Sequence, residues 1–171
     1  MTVPTHESPL ADRPAPDAAF CALVGDDRIT LMGLLIETHA RLTHVLGAEL
    51  EAECGLPLGW YDVLIRLGRS PERRLTMTQL AGEVSLTSGG ITRLVDRIAE
   101  AGYVERQNCP SDRRSVHVVL TESGVEKLSE ATAAHLEGLE RHLLAPLSEA
   151  ERDGLAQTLR KLRGPGPVCG G

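Results

Sequence analysis

Apolar residues recur at helical spacing along the first third of the chain. After Asp26 and Asp27, which can cap a helix, the chain runs without proline and places leucine and valine on one face. Three further apolar residues widen that face beyond a single stripe, namely Ile29, Met32 and Ile36. The pattern predicts one long helix, over about residues 27–54, that packs against two surfaces at once.

The last third of the chain repeats this amphipathic pattern over about residues 121–163. Thr121 is placed to cap a helix whose apolar face continues to Pro146. Ser148 then opens a second helix, with Glu151 at the capping-box position. Because these terminal helices have more apolar surface than the short middle of the chain can cover, we expect them to pair two copies of the chain in a homodimer.

The middle of the chain holds three shorter helices. The first, from about Leu58 to Leu67, is followed by Pro71, which ends it. Residues 76–102 then contain two amphipathic segments separated by a tight turn. Their inward positions are Leu80, Ala81, Val84, Leu86, Ile91, Leu94 and Val95. A small residue where two backbones cross, with apolar residues in the angle between them, is typical of a helix-turn-helix.

The second helix of this motif directs hydroxyl groups, small residues and arginines outward near its N-terminus. Such an end can enter the major groove of DNA. Gly89 and Gly90 also remove side-chain bulk, so that backbone N–H groups can approach phosphates or base edges. The predicted DNA-binding residues of this segment are Thr87, Ser88, Gly89, Thr92, Arg93 and Arg97. The alternative is a pair of packed helices whose arginines are only solvated.

A β-hairpin, or wing, is predicted after the helix-turn-helix. A strand-like run after Tyr103 and the alternating run of residues 115–121 flank a Pro-Ser-Asp turn that ends in two arginines. A narrow minor groove has enhanced negative potential, so we expect Arg114 to enter it, with Asp112 holding Arg114 by a salt bridge. Asp112 as a simple turn residue, and Arg113 as a phosphate contact or a solvated charge, remain open.

These elements predict a mainly α fold with a small β-hairpin, an α+β winged helix-turn-helix over about residues 58–120. The charge distribution favours the same segment. The formal net charge of −6 is unfavourable for binding phosphates. From Trp60 to His117, however, nine arginines outnumber seven acidic residues, whereas the rest of the chain has nine basic and seventeen acidic residues. The basic middle is therefore consistent with double-stranded DNA as a partner.

The remaining composition predicts one compact unit with loose ends. A chain of 171 residues that is 42% hydrophobic can bury a core without disulfides or a metal. The proline-rich residues 1–25 predict a disordered arm, and Gly164 stops the last helix, so that residues 164–171 form a flexible tail. The sequence has no bilayer-length apolar run and no signal-peptide pattern, which predicts a cytoplasmic protein without a membrane partner.

The chain shows no constellation of catalytic residues. It lacks a phosphate-binding glycine loop, a nucleophile elbow and an HExxH motif. The four cysteines are far apart and never pair as CxxC, which predicts free thiols and excludes a zinc finger. We therefore expect that the protein is not an enzyme and that it binds no cofactor or metal.

The order of elements and the segment LTSGGITRLVDRIAEAGYVERQNCPSDRRSVHVVLTESG resemble the MarR family of winged helix-turn-helix regulators. The resemblance implies a domain over residues 26–163, dimerised through its first and last helices, with recognition helices in major grooves and wings in minor grooves. Asp112 and Arg114 match the Asp-x-Arg pattern of the family's wing. Ser85, at the turn between the two helices, is a departure, because many helix-turn-helix proteins have glycine there. Repression of transcription is the family's commoner outcome, and we expect it here, through binding to a palindromic operator.

The family also implies possible signals. Many members release DNA when a small phenolic or lipophilic effector binds, and His39, Trp60 and Tyr61 are the candidate contacts by position. A core role for Trp60 and a solvated histidine are the alternatives. Some relatives sense oxidants through a cysteine near the first helix, which makes Cys21 the redox candidate, although it has no basic neighbour. A winged helix that mediates only protein contacts is a further alternative.

Overall fold

The computed structural model describes residues 17–84, 88–108 and 116–164, and its contacts divide the chain into two units after Ala40. The first unit contains α1 (Ala18–Val24) and the first half of α2 (Asp27–Cys54). The division falls within α2, whose three buried residues all belong to its second half, namely Leu46, Leu50 and Cys54. The single domain over residues 26–163 stays a prediction.

Helix α1 corrects the prediction that residues 1–25 form a disordered arm, which is wrong for residues 18–24. The carboxylate of Asp17 accepts a hydrogen bond from the backbone N–H of Phe20 at 2.6 Å and so caps the helix. The seven residues of α1 contain neither glycine nor proline. Local capping therefore outweighs the proline-rich composition that precedes it. Residues 1–16 and 165–171, the rest of the predicted arm and nearly all of the predicted tail, lie outside the described residues.

The second unit begins with the second half of α2 and contains a helical bundle with a small sheet. Its elements are α3 (Leu58–Arg69), β1 (Arg74–Thr76), α4 (Met77–Glu83), α5 (Ser88–Glu100), β2 (Val104–Asn108), β3 (Val116–Leu120), α6 (Glu122–Leu139) and α7 (Glu149–Arg163). Leucine, isoleucine and valine side chains dominate its core. Val63, Leu64 and Leu67 of α3 are buried as predicted, whereas Trp60 is half-buried and its ring meets that of Tyr103 edge to face. The predicted mainly α fold with a small β component is confirmed.

The sheet has three antiparallel strands in the order β1–β3–β2. The predicted hairpin of β2 and β3 is present, with Asn108 opposite Val116 at its outer end. Strand β1 was not predicted, and Leu75 at its centre lies opposite Val118. The sheet continues directly into the helix-turn-helix, because Thr76 and Gln79 form a reciprocal capping box that starts α4.

The C-terminal helices start where their caps predict, and α7 also ends where Gly164 predicts. The Thr121 hydroxyl accepts from the backbone N–H of Gly124 at 3.0 Å and starts α6. Ser148 and Glu151 form the predicted capping box of α7, and Gly164, with a φ of 69°, terminates it. Between them, a π-helical turn over Glu140–Leu144 interrupts the regular helical pattern.

Glu49 of α2 holds that π-helical turn in place. Its Oε1 accepts from a guanidinium nitrogen of Arg141 at 2.6 Å and lies 2.7 Å from Nε2 of His142. The hydrogen bond with His142 is the main cause that keeps the pKa of the Glu49 carboxyl below its usual range. Gly138 packs closely beside it, since a Cβ there would approach Glu49 and Leu46 to 2.9 Å. The turn is therefore a packed junction between α2 and α6.

None of the helices in the described part of the chain is long and apolar enough to cross a membrane.

Candidate nucleic-acid interface

Helix α5 has one buried face and one face open to solvent. The buried face consists of Ile91, Leu94, Val95 and Ile98. The opposite side carries Gly89, Arg93, Asp96 and Arg97, which are exposed, and Thr92, which is half-buried. The helix begins at Ser88, whose backbone alone is described, and Thr87 lies outside the described residues. The structure thus brings four of the six residues predicted for this segment onto one outward face.

Gly89 leaves the first turn of α5 open. A Cβ built at this position would meet no heavy atom of the described residues within 4 Å, and its backbone is not in the left-handed region. The fold therefore does not require glycine here. The first N–H groups of a helix have no partner within the helix, and they carry its positive dipole end. An open first turn lets an anionic group come close to those N–H groups.

Two arginines of α5 are available for a ligand. Arg93 and Arg97 are exposed and form no ion pair with any residue that the structure describes. Their positions differ by four, so the two guanidinium groups share one side of the helix. The outward face of α5 therefore presents cationic groups beside an open helix N-terminus.

Other arginines of the basic middle form contacts within the second unit instead. Arg66 of α3 donates to the carbonyl oxygens of Asp62 at 2.6 Å and Glu83 at 3.1 Å, which ties α3 to the end of α4. Arg74 forms an ion pair with Glu72 at 2.5 Å. The excess of arginine seen in the sequence is thus partly structural, and the arginines without an ion pair include those of α5.

Asp96 and Glu100 are the exposed acidic residues of α5, and Asp96, the one between Arg93 and Arg97, is paired. Its Oδ1 lies 2.7 Å from a guanidinium nitrogen of Arg106 on β2. The same arginine donates to the backbone carbonyl of Thr92 at 3.4 Å. Sequence reasoning did not identify Arg106, because residues ten positions apart meet only when β2 folds back beside α5.

The tip of the wing lies between β2 and β3. Asp112, Arg113 and Arg114, the residues predicted to reach a minor groove, lie outside the described residues. The strands that bear them are described, and their register fixes the hairpin. The wing residues therefore stay predictions from the sequence.

A cavity of about 810 Å³ opens on another side of the second unit, between α3, β1, α4, α6 and the end of α7. Its apolar lining includes Ile65, Leu75, Leu136 and Leu139, and its charged lining includes Asp62, Arg66, Arg69, Glu83 and Arg163. Of the predicted effector contacts, Tyr61 lines this cavity, Trp60 packs on Tyr103 instead, and His39 is exposed in the first unit.

His135 of α6 is a cavity residue that was not proposed as an effector contact. Its ring lies 4.7 Å from that of Tyr61, between centroids. Its Nδ1 is buried and has no hydrogen-bond partner among the described residues. Burial lowers the pKa of this imidazole. His135 therefore lines the cavity while its Nδ1 is enclosed by the protein.

The described cysteines occupy different environments. Cys21, the redox candidate, is exposed on α1. Cys54 is buried at the end of α2, and burial raises the pKa of its thiol. Within the described ranges, no three His, Cys, Asp or Glu residues are grouped so that they could hold a metal ion.

Comparison with known proteins gives relatives that are transcriptional regulators. A model of the MarR family matches residues 55–115. The HTH-type transcriptional regulator BilQ of Clostridium symbiosum (strain WAL-14163) is 30% identical over 115 residues, which cover 67% of this chain and 77% of the relative. The transcriptional repressor MprA of Escherichia coli (strain K12) is 29% identical over 134 residues, which cover 78% of this chain and 75% of the relative.

A solved structure extends the similarity to the fold. Sco3205, a MarR family transcriptional regulator from Streptomyces coelicolor crystallised in complex with DNA, matches with a TM-score of 0.73 and 29% identity. The match covers 81% of this chain and 91% of that chain. The similar proteins are transcriptional regulators and not enzymes, in agreement with the sequence prediction.

Proposed function

The chain belongs to the MarR family of transcriptional regulators, and on that premise we propose that it is a repressor that binds a palindromic operator as a homodimer and releases it when a small effector binds. The observation that carries this proposal is the outward face of α5, with an open first turn at Gly89 and the exposed Arg93 and Arg97. Arginines bind phosphates and guanine edges, and a helix of this kind fits the major groove.

The wing extends the proposed contact to the minor groove. Arg114 enters the groove and Asp112 holds it, while Arg113 contacts phosphate or solvent. Support comes from the hairpin of β2 and β3, which carries these residues on the connection between its strands. Arginine is the side chain best suited to the negative potential of a narrow minor groove.

The homodimer is supported by exposed apolar side chains. Of the thirteen large apolar residues that lie exposed in the described ranges, nine belong to α1 and the first half of α2. Leu31 is 70% exposed, and Leu162 of α7 is 72% exposed. Soluble proteins rarely leave such clusters in water, and a helix that is apolar on all sides is normally buried. A second copy of the chain supplies the missing cover.

The effector site is proposed in the cavity beside Tyr61 and His135. The apolar wall suits a phenolic or lipophilic molecule, and the aromatic rings of Tyr61 and His135 line the same cavity. The cavity is lined by α6 and also by α3 and α4, and α4 is the first helix of the helix-turn-helix. A ligand there contacts the helix that precedes α5.

Selection of duplexes from a random-sequence library, followed by gel shift, tests the proposal. We expect enrichment of an imperfect palindrome. Arg93→Ala should weaken binding by roughly 1–3 kcal/mol, whereas Arg160→Ala, which removes the same charge from an exposed position of α7, should not. If the purified chain enriches no sequence, the protein is an interaction module and the proposal is wrong.

A further inference from the structure

An acidic side chain on a face that meets DNA is normally unfavourable. The Asp96 side chain is 51% exposed and lies on the same outward face of α5 as Arg93 and Arg97. A carboxylate in this place repels phosphates, and its effect does not depend on the DNA sequence. The arrangement of the neighbouring strand compensates for this charge.

Arg106 provides that compensation from β2. Its guanidinium group lies 2.7 Å from the Asp96 carboxylate and also donates to the backbone carbonyl of Thr92 at 3.4 Å. Both contacts are made by the same guanidinium nitrogen, Nη2, so the two acceptors of α5 lie close together around one atom. The Arg106 side chain is only 36% exposed. It is held against the protein and does not extend freely into solvent.

We propose that Arg106 is a positioning residue of the DNA interface: it neutralises Asp96, so that Arg93 and Arg97 meet DNA without an unpaired carboxylate between them. The inference rests on the proposed function. It assigns Arg106 to the protein side of the interface, because Nη2 of its guanidinium group is directed at two acceptors of α5.

Stability and DNA binding respond differently to this pair. An ion pair at this exposure contributes little to the free energy of unfolding, since solvent screens it. Its loss leaves the fold intact. In the complex, however, the unpaired Asp96 carboxylate faces phosphates, and this repulsion weakens binding.

The test compares Arg106→Gln, Asp96→Asn and the double variant with the parent protein. The first probe is a duplex that the parent has selected from a random library, and the second is a shuffled duplex of the same composition. Each is about 30 bp long, which covers two half-sites about 10 bp apart. Arg106→Gln should bind both duplexes about tenfold more weakly. Asp96→Asn and the double variant should stay within about threefold of the parent. All four proteins should melt within about 3 °C of one another.

Salt dependence separates positioning from direct contact. If Arg106 acts through Asp96, the double variant recovers the parent's slope of log Kd against log salt concentration. If Arg106 grips a phosphate, the double variant stays weak and its slope falls by about 1 per subunit, which overturns the proposal. If Arg106→Gln binds both duplexes as tightly as the parent, the proposal is also wrong.

Arg93→Ala distinguishes failure of this inference from failure of the proposed function. A parent protein that binds DNA and loses affinity on Arg93→Ala, but not on Arg106→Gln, contradicts only the role of Arg106. A parent protein that selects no duplex overturns both.

Discussion

Replacement of Gly89 by leucine separates DNA binding from stability, and Gly59 supplies a matched control. Each glycine is the second residue of a helix, in α5 and α3 respectively, and each is exposed. A Cβ at either position would meet no heavy atom of the described chain within 4 Å. Leucine favours a helix over glycine by up to about 1 kcal/mol. Both variants should therefore keep the parent's free energy of unfolding or gain at most about 1 kcal/mol, roughly 2–4 °C in melting temperature.

The two variants should differ in their affinity for DNA. A leucine at position 89 stands between the first turn of α5 and the groove, and it keeps the backbone N–H groups away from phosphates or base edges. The loss of such a contact costs about 1–3 kcal/mol, which is roughly fivefold to 150-fold in Kd. Gly59→Leu changes no surface that is proposed to meet DNA, so its Kd should equal that of the parent.

Fluorescence anisotropy with a labelled, selected duplex measures the affinity, and thermal melting measures the stability. Equal Kd values for Gly89→Leu, Gly59→Leu and the parent, with all three folded, would refute the placement of the α5 N-terminus against DNA. A large loss of stability confined to Gly89→Leu would show that the space beside this glycine is filled by the protein itself.

Three further predictions concern the wing, the dimer and the cavity. Arg114→Ala should cost roughly 1–3 kcal/mol in binding, mainly on operators with A·T-rich flanks, and unchanged binding across an operator library would remove the wing from the interface. The parent should scatter light as a species of about twice the 18.4 kDa chain mass, and Leu31→Glu, on the first half of α2, should scatter as a monomer. A monomeric parent contradicts the proposed two-fold recognition. Because burial lowers the pKa of His135 from 6.5, its contribution to stability is complete above that pH and is lost as the pH falls below it. His135→Phe should therefore show a smaller fall in melting temperature than the parent between about pH 7.5 and 5.5, and equal falls contradict this assignment.

The parts of the fold that follow from local sequence were predictable. The capping box of Ser148 and Glu151 and the cap at Thr121 depend on residues within one turn of each other, and the structure has both. The apolar spacing of α5 likewise determines which of its faces is buried. Asp17 is also a local cap, but the prolines around it hid the helix that it starts.

Contacts between distant segments were not predictable from pattern alone. Strand β1 has three residues, too few for a periodic signal, and it exists because β3 pairs with it. The pairing of Arg106 with Asp96 and the position of His135 beside Tyr61 likewise depend on how helices and strands pack. Sequence reasoning therefore located the outward face of α5 and Tyr61 of the cavity, and it missed Arg106 and His135.

Hydroxyl-radical footprinting on a selected duplex tests the central claim most directly, since the claim joins α5, the wing and the dimer in one geometry. At saturation, we expect protection of two half-sites whose centres lie about 10 bp apart on one face of the duplex. Arg93→Ala should weaken protection within both half-sites, and Arg114→Ala should weaken it only at the flanks. Protection of a single half-site at saturation, or a footprint that neither substitution alters, would contradict the account.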